Sequence, residues 1–424
     1  MASSRGTHTK AIEPQARRGI WTSVPTKVRL LILTQIPNSF AFGYFMIFVT
    51  SYLVQSGMSA SLIGIFLTLE GAVAIVAGIP FAMLSDRRGR KWNVILGNVV
   101  FAPTILVFAL TRNVTLLGVA AAVSGIGEAM ALSSWNAMIA DQTDLGNRDS
   151  AFSLSFIATS AAFSMGAVLP LFFPSVEAFT GGSIGEVHSL ALMVLGALNF
   201  ATPVILWALL RDYRERQRAG GAEGFHLKGM GLIMKFSLCN SIIGLGAGLI
   251  IPLLTTWLWL KFGVPDTYSG PYSALAGLTM AFAAVASPRL SKRIGLFPAI
   301  LATQISSTVF MFSLAFISNV YVAGGVYLIR ASLMNMNSPL MDSFLMGITP
   351  SEKRGLASTL NAIIWRLPNT GSTFVGGFLL SSAAFGIPAL GLSNLDVPWV
   401  VATAFYVVGS ALLYANFRNV KPSQ

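Results

Sequence analysis

The sequence contains little charge and almost no cysteine. Charged residues make up 10% of the 424-residue chain and hydrophobic residues 54%, whereas an ordinary soluble domain carries roughly 25% charged residues. A soluble protein of this length would need more charge to cover its surface, so a soluble fold is excluded. The one cysteine, Cys239, lies inside an apolar segment, which excludes an intrachain disulfide and a thiol-ligated metal site.

Features that enzymes and exported proteins need are also missing. The sequence has no glycine-rich phosphate-binding loop ending in Lys-Ser/Thr, and no Ser/His/acid or metal-ligand cluster. It has three histidines, His8, His188 and His226, and we interpret all three as peripheral. Residues 1–27 are polar and basic without the apolar core of a signal peptide, so we interpret them as a disordered cytoplasmic tail. We therefore expect neither an enzyme nor a bound cofactor.

Long apolar segments recur along the whole chain. About 20 consecutive apolar residues are enough to span a bilayer. We predict twelve spans, near residues 28–54, 60–84, 92–111, 115–140, 150–172, 188–210, 230–260, 271–288, 296–317, 320–347, 355–380 and 397–416. The sequence thus predicts an all-α membrane protein of twelve transmembrane helices, and an even number of spans places both termini on one side.

The net charge of +12 reflects membrane topology. Of the 28 lysines and arginines, 23 lie in or beside the tails and loops on the side of the termini, whereas the opposite side has only Arg112 and Lys261. By the positive-inside rule both termini are cytoplasmic, in a protein of the plasma (cell inner) membrane. We expect the basic loops to contact anionic lipid headgroups, with no nucleic-acid partner and a monomeric state.

Two segments repeat each other at an offset of 206 residues. Residues 84–89 read LSDRRG and residues 290–295 read LSKRIG. Together with further matches at the same offset, this indicates an internal duplication, which is typical of transporters built from structural repeats. We predict two pseudo-symmetric six-helix bundles with a linker and a short tail: residues 28–210, a cytoplasmic linker at 211–228, residues 229–416 and a cytoplasmic tail at 417–424.

The segment 82–91, AMLSDRRGRK, resembles the signature of the major facilitator superfamily. That signature reads Gly-x-Leu-Ala/Ser-Asp-Arg-x-Gly-Arg-Arg/Lys and follows the second of twelve spans. Only its first glycine is missing, replaced by Ala82. The resemblance implies the fold of the superfamily and a secondary active transporter that moves a small solute by alternating access.

The resemblance also implies a gating role for this loop, carried by Asp86, Arg87, Gly89 and Arg90. In the superfamily the aspartate meets the start of the eleventh span and holds the two halves closed on the cytoplasmic side. The arginine at the position of Arg90 would then pair with an acid at the end of the fourth span, where Asp141 has the right depth.

Two other signatures of the superfamily are absent. Many proton-coupled members carry an arginine four residues before a Gly-x-Gly in the fourth span, but Ala121 occupies that position here. Drug antiporters tend to show a Gly-x-x-x-Gly-Pro in the fifth span, whereas residues 166–170 read GAVLP. These motifs do not support the antiporter subclass.

Ionisable residues within the spans are functional candidates, because a charge at the bilayer centre costs about 2.5–3.5 kcal/mol on insertion scales. There are six: Glu70, Glu128, Lys235, Arg330, Asp342 and Arg366. Removal from water favours the protonated carboxyl, so Glu128, flanked by small residues, is the first candidate for proton coupling and Glu70 the second. A structural hydrogen bond between helices is the alternative for Glu128.

Polar residues of the same spans are candidates for substrate binding: Asn38, Asn136, Asn240, Arg330, Asn335, Asp342, Asn361 and Arg366. Asparagines also hold helices together, and either arginine could instead pair with Asp342 or Glu128.

Three functions remain open on the sequence alone. An apolar cavity and Glu128 favour proton-coupled export of a lipophilic drug or metabolite. Arg330 and Arg366 favour transport of an organic anion, because guanidinium groups hold anionic groups by paired hydrogen bonds. The third alternative is a membrane sensor that kept the carrier fold without transporting.

Overall fold

The computed structural model describes residues 20–144, 147–213, 231–350 and 354–420, and these residues are almost entirely helical. Twelve long helical segments follow one another: α1 Thr26–Gln55, α2 Ala60–Arg88, α3 Arg90–Leu110, α4 Val114–Asp141, α5 Arg148–Val168, α6 Ile184–Leu209, α7 Gly231–Ile250, α8 Asp266–Ile294, α9 Leu296–Ser313, α10 Val320–Gly347, α11 Arg354–Ser381 and α12 Val397–Phe417. We call α1–α6 the first bundle and α7–α12 the second.

Nine of these segments are, within the described residues, long and apolar enough to cross a membrane. The other three, α8, α10 and α11, have 28 or 29 residues each. At 1.5 Å per residue they are about 42 Å long, more than the roughly 30 Å of the hydrocarbon core. They are less apolar because they carry polar and charged residues such as Arg330 and Arg366. The predicted helical membrane fold is confirmed, and its twelve-helix arrangement fits these segments.

The internal duplication is visible in the helix bounds, because α8 and α10 begin and end 206 residues after α2 and α4. Gly89 ends α2 with φ 107° and Gly295 ends α8 with φ 91°, backbone conformations that favour glycine. Asn113 caps α4 and Asn319 caps α10, each accepting two backbone N–H groups at its side-chain oxygen. The repeat therefore preserves the signals that stop and start helices.

The end of the predicted N-terminal tail differs from the expectation of disorder. Residues Ile20–Ser23 form a helical turn, and α1 already begins at Thr26. Val24 is buried against Ile139 and Leu154 of the first bundle, because its apolar side chain gains by leaving water. Residues 1–19, most of the linker and the last four residues lie outside the described part of the chain, so the domain bounds stay predictions.

Glycines let the helices of the first bundle approach closely. A Cβ on Gly127 of α4 would lie 2.9 Å from the carbonyl oxygen of Gly97 in α3, and a Cβ on Gly125 would lie 2.2 Å from the carbonyl oxygen of Glu70 in α2. Small residues at such crossings are usual in membrane bundles. These two crossings fix α4 against α2 and α3, and so fix the direction in which Glu128 points.

Gly125→Ala is expected to destabilise the protein. The methyl group would clash with the backbone of Glu70, and overpacking costs typically about 1–3 kcal/mol. This cost exceeds the stabilisation that alanine gives a helix relative to glycine. Thermal unfolding of the purified protein should show a midpoint lower by about 2–4 °C for each kcal/mol of net destabilisation. Gly118→Ala on the same helix is the matched control, because its Cβ would meet nothing closer than 4.0 Å. Equal midpoints for the two variants would contradict the close crossing.

The two bundles meet on the side opposite the chain ends, which we call the far side; the other is the terminal side. A Cβ on Gly377 of α11 would lie 2.6 Å from the carbonyl oxygen of Ala60 and 3.0 Å from Cα of Gly64. A Cβ on Gly270 of α8 would lie 2.2 Å from the carbonyl oxygen of Ala167. The backbones touch with no room for side chains, so the far side is closed.

Hydroxyl groups complete the far-side contact. A π-helical segment of α1, Phe48–Tyr52, presents Thr50 and Ser51 to the second bundle. The hydroxyls of Thr50 and Thr255 are 2.6 Å apart, and those of Ser51 and Ser269 are 3.2 Å apart. A π-helical turn inside an α-helix often marks a functional site, and here it forms part of the closure.

Candidate functional site

A cavity of about 740 Å³ lies against the first bundle, between mid-membrane and the terminal side. Helices α1 to α5 wall it, with Gly277 of α8 from the second bundle. Its wall is mostly apolar and contains six aromatic side chains: Phe42, Phe101, Trp135, Phe152, Phe156 and Phe163. The volume and the apolar wall with a few polar groups are typical of small-molecule sites.

Four of the predicted site residues line this cavity: Asn38, Glu70, Glu128 and Asn136. The side-chain oxygen of Asn38 is buried without a hydrogen-bond partner among the described residues. Glu70 accepts a hydrogen bond from the Ser124 hydroxyl at 2.7 Å. The structure thus brings two carboxyl groups and two amides to one apolar wall.

Glu128 forms an ion pair with Arg366 that joins the two bundles. Nη2 of Arg366, on α11, donates to Oε1 of Glu128, near the middle of α4, at 2.7 Å. The side chains are 38% and 29% exposed, respectively, and Glu128 lines the cavity. Of the pairings that the sequence left open, the structure contains this one.

Arg330 lies away from the cavity wall. Its side chain is buried against α9 and α12, where Nη2 donates to the Tyr406 hydroxyl at 2.7 Å and lies 3.8 Å from the sulfur of Met311. The guanidinium also stands over the Tyr406 ring, 5.5 Å from its centroid. Arg330 thus occupies a packed position within the second bundle.

The remaining predicted binding residues also lie in the second bundle. Asn240 of α7 donates to Asn361 of α11 at 3.4 Å. Asn335 of α10 donates to the Thr279 hydroxyl of α8 at 3.2 Å. These asparagines therefore link helices, while Asp342 is exposed near the terminal-side end of α10. None of these residues lines the cavity described above.

Arg90, the first residue of α3, forms the expected ion pair with Asp141, the last residue of α4. The same carboxyl accepts a hydrogen bond from the Tyr213 hydroxyl at 2.8 Å. The side chains of Asp86 and Arg87 lie outside the described part of the structure. The gating role of the motif therefore stays a prediction.

The peripheral position expected for His188 is wrong. The residue is fully buried, with Nδ1 2.8 Å from the Tyr44 hydroxyl. The sequence did contain a signal, because Ser183 and Glu186 form a capping box that starts α6 at Ile184. The predicted span began only at residue 188, which left the histidine at its end rather than one turn inside the helix.

Two helical bundles that are closed on one side and hold a cavity on the other define a membrane carrier that works by alternating access. The chain belongs to the Major Facilitator Superfamily, whose family model matches residues 31–373. It is therefore an integral membrane transporter and not an enzyme.

Known relatives match this chain over lengths that differ widely. Multidrug resistance protein 1 of Bacillus subtilis (strain 168) is 25% identical over 342 residues, which cover 78% of this chain and 80% of that protein. Inner membrane transport protein YajR of Escherichia coli (strain K12) is 32% identical over 130 residues, 30% of this chain and 28% of that protein.

A solved structure shares the fold. It is that of a bacterial homologue of the human lysosomal transporter Spinster, in an inward-facing and occupied conformation. The TM-score is 0.74 at 16% sequence identity, and the match covers 92% of this chain and 96% of that chain.

Proposed function

We propose that the protein exports a lipophilic small molecule in exchange for protons. The observation that carries this proposal is the Glu128–Arg366 pair, which joins the two bundles at the wall of an aromatic-lined cavity. An ionisable residue at mid-membrane has a functional role by default. Here its partner belongs to the opposite bundle, so the charge state of one carboxyl bears on how the bundles hold together.

The pair explains how a proton could drive the cycle. While Glu128 is ionised, its attraction to Arg366 keeps α4 and α11 together. A proton on the carboxyl removes that attraction and leaves the bundles free to rock about the cavity. An ionised carboxylate without its partner is costly in this setting, so separation of the bundles and proton uptake favour each other. Glu70, close by on the same wall, is the second group that can hold the proton.

The cavity supports a lipophilic substrate. Its aromatic side chains offer apolar contact area, while Asn38 and Asn136 offer hydrogen bonds. The name of the Bacillus subtilis relative, a multidrug resistance protein, supports the same class. The organic-anion alternative has less support, because Arg366 is paired with Glu128 and Arg330 is packed against Tyr406.

The distribution of basic residues supports an inner-membrane protein with both termini cytoplasmic. The cavity then opens toward the cytoplasm in the conformation described, as an exporter loading its substrate requires. A monomer contains every element of this proposal.

Vesicles that hold a pH-sensitive dye test the proposal. The purified protein is reconstituted and exposed to a panel of lipophilic cations, neutral lipophilic compounds, organic anions and sugars. We expect lipophilic compounds alone to drive proton movement, above the signal of protein-free vesicles. Proton movement with organic anions alone would establish the anion alternative. Substrate flux without proton movement would indicate a facilitator or exchanger, and no flux with any compound would favour the sensor.

A further inference from the structure

A buried histidine and a buried aspartate face each other where the bundles close on the far side. His188 belongs to α6 of the first bundle and is 0% exposed, and Asp266 is the first residue of α8 in the second bundle and 2% exposed. Nε2 of His188 lies 3.3 Å from Oδ2 of Asp266. Because the two residues belong to different bundles, opening of the far side separates them.

Aromatic side chains shield the histidine from water. The Tyr52 ring stacks on the imidazole with 3.6 Å between centroids, and Phe173 meets it edge-on at 4.8 Å. Nε2 of His188 and Oδ2 of Asp266 are buried and lack a well-aligned hydrogen bond within the described residues. Because the site is shielded from water, the free-energy cost of burying the pair depends on its net charge.

The Tyr44 hydroxyl lets the imidazole hold either one or two protons. When the ring is neutral, the hydroxyl donates to Nδ1 at 2.8 Å, and Nε2 carries the ring proton toward Asp266. When the ring is protonated, Nδ1–H donates to the tyrosine oxygen, and the hydroxyl proton turns to the carbonyl oxygen of His188, 3.3 Å away. Both states use hydrogen-bonding groups that are already in place.

Net charge favours an extra proton on the pair while the far side is closed. A neutral His188 beside an ionised Asp266 leaves a negative charge buried. The carboxylate accepts hydrogen bonds from Gln55 and from the backbone N–H groups of Asp266 and Thr267, but burial outweighs them. One added proton makes the pair neutral overall, either as imidazolium with carboxylate or as imidazole with carboxylic acid, and the two forms share one titration. When the bundles part, water solvates both groups and this reason to hold the proton is lost.

Arg112 is the cation that faces this cluster. Its guanidinium stands over the Phe48 ring, 5.3 Å from the centroid, and its positive charge acts on His188. It opposes an added proton on the imidazole and so weakens the preference of the pair for that proton. The other polar side chains facing the pair are uncharged at neutral pH: Tyr44, Tyr52 and Gln55.

We propose that His188 and Asp266 form a proton-binding site at the far-side gate, which takes up one proton on closing and releases it to the far side on opening. This site is separate from Glu128 and Glu70 at the cavity. It deepens the proposed function and rests on it in one respect, namely that a proton-coupled carrier opens to both sides in each cycle. The closed state binds one proton more, so the ratio of open to closed molecules rises with pH, by up to about tenfold per pH unit.

Spin labels on the far side measure that ratio directly. Cysteines replace Phe179 of the first bundle and Leu390 of the second, which are 93% and 66% exposed, in a Cys239→Ala background. Distances are recorded by double electron–electron resonance in lipid nanodiscs between about pH 5 and about pH 9. Neither substrate nor an imposed gradient is needed, so failure of this proposal and failure of the proposed function are distinguishable.

We expect the long-distance population to rise with pH in the otherwise wild-type protein and not in Asp266→Asn or the double variant His188→Gln/Asp266→Asn. Glu186→Gln is the matched control, since this exposed acid lies on the same helix as His188, and it should keep the full pH response. If the Asp266 variants do not fold, His188→Gln serves, and its response should move to lower pH because the carboxyl alone must bind the proton.

Two results would overturn the proposal. One is a distance distribution that does not change with pH, including one that stays closed throughout. The other is a pH response that stays unchanged in Asp266→Asn or in the double variant, provided that the variant folds. Where only His188→Gln folds, an unchanged response in that variant has the same meaning, because the pH sensitivity would then reside elsewhere in the protein.

Discussion

Glu128→Gln is expected to abolish substrate-driven proton movement in vesicles while the protein remains folded. Glutamine has the shape of glutamate, and its carbonyl oxygen can still accept the hydrogen bond that Arg366 donates at 2.7 Å. It cannot bind and release a proton. The expected loss is about a hundredfold or more, the usual contribution of a well-placed proton donor or acceptor. The measurement is the rate of the dye signal at saturating substrate.

Controls separate the loss of the proton site from a general loss of charge. Glu177→Gln removes a carboxyl at the far-side end of the helix that follows α5 and should leave the rate unchanged. The double variant Glu128→Gln/Arg366→Gln removes both charges, so no charge is left without its partner and the protein should remain folded, although proton movement stays absent. Retained coupling in Glu128→Gln with loss in Glu70→Gln would assign the proton to Glu70. If both Glu128→Gln and Glu70→Gln retain proton coupling, the two acids have structural roles only.

Gly377→Leu is expected to hold the far side open and to reduce transport to the background of empty vesicles. In wild type a Cβ at this position would already lie 2.6 Å from the carbonyl oxygen of Ala60 and 3.0 Å from Cα of Gly64. These are backbone atoms of the opposite bundle, which cannot turn aside as a side chain can. Overpacking of about 1–3 kcal/mol shifts a balance between conformations roughly 5- to 150-fold. The spin-label distance between positions 179 and 390 measures the shift.

Gly371→Leu is the matched control on the same helix. Nothing lies within 4 Å of a Cβ at Gly371, so this leucine meets open space and should leave both the distance distribution and transport unchanged. Wild-type distances in Gly377→Leu would mean that the bundles close without the backbone contact described above. A shift in both variants would point to a general effect of leucine in α11.

Local signals in the sequence predicted the helices well. The predicted third span, 92–111, corresponds to α3 at Arg90–Leu110. The prediction was close because a glycine before the apolar run and a polar loop after it mark the two ends of the helix. The ion pair of Arg90 with Asp141 could be predicted. The resemblance to the superfamily signature identified Arg90, and the position of Asp141 at the end of the fourth span identified its partner. His188 was misjudged because the start of α6 was placed four residues too late, beyond its capping box.

The cavity residues could be predicted only as a pool of candidates. The sequence identified polar and charged residues inside the spans, since each is unusual in an apolar run. It could not tell which candidates line the cavity and which link helices, because the face of a helix that meets the cavity depends on how the helix is rotated against its neighbours. Asn38 and Asn136 line the cavity, whereas Asn240 and Asn335 link helices of the second bundle.

The sequence by itself determined that this protein is a helical membrane carrier with a duplicated architecture and a superfamily loop signature. Hydrophobic runs, helix caps and the 206-residue offset depend on residue order alone, so they can be recognised without coordinates. Only the tertiary structure decided that Glu128 pairs with Arg366, 238 residues away, and that His188 faces Asp266. Helices that approach closely at glycine contacts bring such partners together. The side chains are far apart in the sequence, and no pattern in the order of residues pairs them.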